Sequence, residues 1–210
     1  MFMYSGMASL ASEILWSRVL VFPMGTTLYA FALILSTFLF GIALGSVLSE
    51  KLIGNSHHIL KFLIIQLTIA ISCIAMLPMF ENLHAWTLQV DHLFYDLENI
   101  ALKTLGIKSL FAFGLMFIPT LGFGLTFPLA NRIYLSLFGT VSKTLGNIYA
   151  LNTIGALMGT ILAPFFFIPL MGIRMSLFAI YSLLIVLCFI AIAIHFKLKG
   201  KYIATSAIFT

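Results

Sequence analysis

Charge is scarce in this chain. Asp, Glu, Lys and Arg make up 8% of its 210 residues, against 62% hydrophobic residues, and the mean hydropathy is +1.15. A soluble domain carries roughly 25% charged residues, so water is excluded as the solvent for most of this surface. Regular apolar–polar alternation is also missing, which argues against a membrane β-barrel. Cysteine is limited to Cys73 and Cys188, with no CxxC and no metal-ligand spacing. Both lie inside apolar runs and read as packing or lipid-facing residues. No dense basic run points to nucleic acid, since the 11 basic residues are scattered and the nearest to a run is Lys197, Lys199, Lys201. No basic residue precedes Arg18, so the first stretch lacks the basic n-region of a signal peptide and reads as an uncleaved first span.

What is present is a series of long apolar runs. In lipid each run must satisfy its own backbone hydrogen bonds, which makes it a helix. A bilayer core needs ~20 apolar residues per helix. Runs at residues 2–20, 27–48, 59–80, 110–129, 148–170 and 175–196 meet that length, with Gly172 in the turn after the fifth. The fold class is therefore all-α: a polytopic membrane helix bundle of about six transmembrane helices, occupying residues 1–201. Residues 202–210 are again mostly apolar but too few to span, and read as the start of a truncated further span.

Residues 81–108 differ. Leu83, Trp86, Val90, Leu93, Leu97 and Ile100 recur at alternating steps of three and four, one face of an amphipathic helix. Gln89, Asp91, Asp96, Glu98 and Asn99 occupy the other face, and an interfacial helix is expected here.

Orientation follows from the basic residues. Lys51, Lys61, Arg132, Lys143, Lys197, Lys199 and Lys201 fall on one side of an alternating bundle, and Arg18, Lys103, Lys108 and Arg174 on the other. The richer side is expected to be cytoplasmic, together with the N-terminus, in the cell inner membrane.

Few polar residues interrupt the spans. Ser5, Ser9, Glu13 and Ser17 are spaced by four and share a helix face. A carboxylate at membrane depth costs on the order of 3 kcal/mol by insertion scales. Glu13 is thus either a cation or proton site, or a structural partner of a neighbouring helix. Gly41 and Gly45, and Gly155 and Gly159, form two GxxxG motifs expected to serve helix packing. Pro119, Gly122, Gly124 and Pro128 fall within ten residues of one span and should kink or break it. Such an interruption serves either a substrate site or packing. Asn152, Gly155, Ala156, Gly159, Thr160 and Ala163 make one small, polar face. His57 and His58 lie in a short loop without a carboxylate cluster, so no metal is assigned. Gly122-x-Gly124 is no dinucleotide fingerprint, and no cofactor is expected. Spans two and five share a Tyr-Ala pair and a GxxxG motif, which raises a 3+3 inverted repeat of the kind found in half of a major-facilitator (MFS-like) transporter.

The quoted residues also carry a family resemblance. The stretches are Ser5-Gly6 through Glu13-x-x-Trp16-x-Arg18, Gly25-x-x-x-Tyr29-Ala30 and Gly41-x-Ala-Leu-Gly45-Ser46. They continue with Gly124-Leu-Thr-Phe-Pro128-Leu-Ala-Asn-Arg132, with Gly146-Asn-Ile-Tyr149-Ala-Leu-Asn152 through Gly159, and with Ile168-Pro169-Leu-Met-Gly172. Together they resemble the membrane half of the fused transporter-like/spermidine synthase-like proteins of bacteria. In that family a membrane bundle is joined to an aminopropyltransferase-like domain with a Rossmann-like fold. No Gly-rich loop or acidic pair of such a domain occurs in this chain, so no catalytic residue is carried over and enzyme activity is left open. The resemblance implies a transporter-like bundle that handles polyamines or related small-molecule amines. Glu13 would then neutralise the amine, and Tyr29, Asn131, Tyr149 and Asn152 would supply polar contacts. The alternative is a non-catalytic membrane anchor for a separate synthase-like subunit.

The expected orientation places Asp96 outside the cell. A cysteine introduced there should react with an impermeant maleimide in intact cells; labelling only after permeabilisation would reverse the orientation.

Overall fold

The computed structural model describes residues 1–24, 28–54, 57–82, 100–138 and 141–206. The described residues are helical almost throughout. The helices are α1 (Phe2–Met24), α2 (Leu28–Ile53), α3 (His58–Glu81), α4 (Ile100–Phe138), α5 (Val141–Leu162) and α6 (Ile168–Ser206), with a π-helical turn, Ala163–Phe167, between the last two. There is no strand among the described residues. The core of the expected interfacial helix, residues 83–99, and the last tail residues, 207–210, lie outside the described residues.

Among the described residues four stretches are long and apolar enough to cross a membrane: Leu28–Leu52, His58–Met79, Phe113–Ser136 and Leu145–Lys197. The chain is therefore an apolar helical protein suited to a lipid bilayer. The fourth stretch has 53 residues, more than twice the ~20 that one crossing needs. It is interrupted where Pro164 falls in the π-turn, since proline has no N–H to give to the helical ladder. It is interrupted again at Gly172, whose φ of 74° suits glycine and turns the chain. α1 is not among the four stretches, because its serines, Glu13 and Arg18 lower its hydropathy.

The other helices close around α1. Ala8, Ala11 and Leu15 are fully buried and pack with Ile69, Ala70 and Cys73 of α3 and with Leu177, Tyr181 and Leu184 of α6. Both cysteines are buried and free. A second, smaller core joins Phe2, Phe62, Leu63, Leu129, Ala130 and Ile148.

Glycine sets two of the helix pairs. On α5, a Cβ at Gly155 would overlap the Met3 carbonyl, and one at Gly159 the Met7 carbonyl. On α2, a Cβ at Gly41 would overlap the Thr120 side chain, and one at Gly45 the Leu121 carbonyl. The contacts advance together along both partners, from Met3 to Met7 as Gly155 gives way to Gly159, and from Thr120 to Gly124 as Gly41 gives way to Gly45, so α5 runs parallel to α1 and α4 parallel to α2. α4 in turn receives Ile42 of α2 against Gly124 and Ile69 of α3 against Gly122.

The expected break in the fourth span does not occur. α4 continues through Pro119, Gly122, Gly124 and Pro128 as one helix of 39 residues. Two threonine hydroxyls beside the prolines supply local hydrogen bonds to the carbonyls of the preceding turn. Thr120 donates to Met116 O at 2.8 Å and Thr126 to Phe123 O at 2.6 Å. Both bonds fall one residue away from the carbonyls that the prolines leave without a donor, those of Leu115 and Gly124, and the two glycines are used for close packing.

Gly45→Val should therefore force α2 from α4 and destabilise the bundle by about 1–3 kcal/mol, the usual range for overpacking. The same change at Gly146, where a Cβ would meet nothing, should not. Thermal unfolding of the two variants in detergent checks the contrast.

Candidate functional site

The parallel pairs α1–α5 and α2–α4 meet across a cavity of about 340 Å³. Its polar wall comes from Ser5 and Ser9 of α1 and from Tyr149, Asn152 and Thr153 of α5. Its apolar wall comes from Ile42 of α2 and from Phe123 and Phe127 of α4, with Thr126 beside them. The volume falls in the range of small-molecule sites, and an apolar lining with a few placed polar groups is their usual composition.

Local packing orients these groups. Asn152 lies against Gly6, where a Cβ would stand 2.7 Å from Asn152 Oδ1. The Tyr149 ring meets the Phe127 ring edge-on, with centroids 6.1 Å apart. Ser5 is held from behind by Gln66 of α3, whose Nε2 donates to Ser5 Oγ at 2.8 Å. Gln66 is fully buried, and its Oε1 has no hydrogen-bond partner among the described residues.

A second polar group lies further along α1, within the core. Tyr4 OH donates to Ile180 O at 2.7 Å. Ser12 donates its one hydroxyl proton to Ala8 O, so in the Ser12–Tyr181 contact the tyrosine is the donor. The Cys73 side chain of α3 is buried in the same core as Tyr181. The hydrogen bonds tie α1 to α6, away from the cavity.

The five residues expected to contact a ligand do not converge. Tyr149 and Asn152 share the cavity. Glu13 is half-buried on α1, one turn beyond Ser9, and does not line it. Tyr29 is 76% exposed on α2. Asn131 lines a separate crevice with Ser46, Glu50 and Arg132. Gln66, Thr126 and Thr153 belong to the site or its support and were not singled out from the sequence. Gln66 carried a usable signal, as the one amide in the apolar run 59–80, where a side-chain amide normally bonds across helices.

The arrangement can accept and donate hydrogen bonds but presents no charged side chain to a ligand. Among the described residues no three His, Cys, Asp or Glu side chains come together as a metal-ion group. No family model, curated protein or solved structure matches the chain.

The Gln66–Ser5 bond should be measurable. Interhelical hydrogen bonds in membrane proteins average about 0.6 kcal/mol in double-mutant cycles. A cycle of Gln66→Leu and Ser5→Ala, followed by unfolding in detergent, should give a coupling of about that size. Zero coupling would show that the two side chains do not act together.

Proposed function

We propose that the chain is a multi-pass membrane protein that binds and passes a small polar solute, an amine, through the cavity between α1, α4 and α5. The observation that carries this reading is the polar wall of Ser5, Ser9, Asn152 and Thr153 inside an otherwise apolar bundle. Polar groups at membrane depth are costly without a partner, and a bound solute or water supplies one.

In this reading α1 is a crossing enclosed by the others, and Leu145–Lys197 is two crossings divided at Gly172. Six crossings result, with the N-terminus on the cytoplasmic side of the inner membrane. The parallel pairs support this, since in an alternating bundle the first and fifth crossings point the same way, as do the second and fourth.

An amine suits the acceptors available. The hydroxyls of Ser5 and Ser9 and the Asn152 amide oxygen accept hydrogen bonds, and Glu13 is the one acidic residue of α1. It follows Ser9 by one turn on a shared face. Its carboxylate acts at the end of the cavity wall, where it favours a cation.

Titration of putrescine and spermidine into the purified chain tests the reading. Asn152→Leu should lower affinity about tenfold, the scale of one hydrogen bond to a charged group. Glu13→Gln, nearly isosteric, should leave the chain folded and abolish binding. Unchanged affinity in both variants, or no binding of any amine by the wild-type chain, would overturn the proposal.

A further inference from the structure

A second polar site lies about one turn further along the α2–α4 pair. The last turns of α2 and the facing turns of α4 enclose a crevice of about 520 Å³, lined by Ser46, Ser49 and Glu50 on one side and Asn131 and Arg132 on the other. It is distinct from the cavity above, with which it shares no lining residue.

Its charges are opposite and kept apart. Arg132 Nη1 donates to Gly54 O at 2.9 Å, where the chain leaves α2 with a φ of 56°. This bond fixes the guanidinium at the end of α2, and among the described residues no other acceptor bonds its remaining N–H groups. Glu50 lines the same crevice and is exposed. No ion pair joins Glu50 to Arg132 among the described residues. A cation on one side of the crevice and an anion on the other, with no ion pair between them, complement a ligand carrying both signs.

Position narrows the ligand further. The crevice sits near the ends of the apolar stretches Leu28–Leu52 and Phe113–Ser136, at the level where a bilayer passes from hydrocarbon to headgroups. Val47, also part of the lining, is 72% exposed. It continues the wall as apolar surface toward the hydrocarbon.

We propose that this crevice binds a phosphate ester bearing a primary ammonium, the headgroup chemistry of phosphatidylethanolamine. The phosphate lies on the N–H groups of Arg132 not used by Gly54 and on the serine hydroxyls, and the ammonium donates to Glu50. Arg suits a phosphate because its planar fork matches two oxygens at once. A choline headgroup has no N–H to give Glu50, and a glycerol headgroup offers that carboxylate neutral hydroxyl donors but no cation. Glu50 is thus the residue that selects the headgroup, and Arg132 the residue that holds any phosphate.

The test compares the purified full chain in phosphatidylcholine bilayers doped with equal fractions of phosphatidylethanolamine or phosphatidylglycerol. Lipid retention is read by native mass spectrometry after extraction, and thermal unfolding is measured in parallel. Phosphatidylethanolamine should be retained over phosphatidylcholine by roughly tenfold, the scale of one hydrogen bond to a charged group. Glu50→Gln should remove that preference while leaving total phospholipid retention near the wild-type level. Arg132→Gln should lower retention of both lipids. Free phosphoethanolamine, added to delipidated protein in detergent, separates the two sources of this chemistry. Glu50-dependent stabilisation by the free compound, with no lipid preference, assigns the site to a soluble zwitterion. No discrimination in either arm, or a preference that survives Glu50→Gln, overturns the proposal. The dependence on Glu50 also separates this site from the cavity, whose lining does not include it.

Discussion

A helix as polar as α1 can stay at membrane depth only when other helices cover it, and the fold is arranged around that requirement. Ser5, Ser9 and Ser12 are all buried, and each hydroxyl would lose hydrogen bonds if it faced hydrocarbon. The cover comes from α3, α5 and α6, and α5 comes closest. Gly155 and Gly159 let its backbone reach the Met3 and Met7 carbonyls. Packing at that range supplies dispersion contacts along two whole turns, and lipid tails cannot do the same against an irregular polar face. Once α5 lies in this register, Asn152 is set against Gly6, and the polar side of α5 turns the same way as Ser5 and Ser9.

The cavity follows from where tight packing stops. Within α1–α5 and within α2–α4 the backbones nearly touch at glycines. Between the two pairs the facing residues on the α2–α4 side are Ile42, Phe123 and Phe127, which are too large for such an approach. The gap they leave has small polar residues on one wall and large apolar ones on the other. Its position is thus set by the glycine register of both pairs, and widening either pair would change its shape without touching a lining residue.

Much of this architecture was legible because it rests on local pattern. Long apolar runs give helices wherever water is excluded, and small residues four apart mark faces on which backbones can meet. Other features were not legible. Pro119, Gly122, Gly124 and Pro128 suggested an interruption, because proline and glycine are judged by what they remove from a helix. Gly122 and Gly124 instead receive Ile69 and Ile42 from two different neighbours, and Thr120 and Thr126 supply hydrogen bonds beside the prolines. Convergence was also hidden. Asn131 and Asn152 were both expected to contact one ligand, yet they line different spaces, because that depends on how each helix is rotated in the bundle. Tyr29 sits in the same Tyr-Ala pair as Tyr149 but lies on the outer side of α2. Gln66 acts on the cavity only through Ser5, a relation between helices that no spacing along one helix reveals.

The neutral lining bears on which amine the cavity could take. A carboxylate in the wall would hold a cation tightly and slow its release. Glu13 instead stands one turn beyond Ser9, a rise of about 5.4 Å. At a separation of that order an ionised carboxylate favours an ammonium beside Ser9 over a neutral molecule without a contact ion pair. A diamine whose two ammonium groups are about one helical turn apart could use both features, one end among the hydroxyls and amide, the other at Glu13. A longer polyamine would leave further charges facing Phe123 and Phe127, where nothing offsets their loss of water. On the reading of an amine site, therefore, the spacing of Ser9 and Glu13 favours short diamines over longer polyamines.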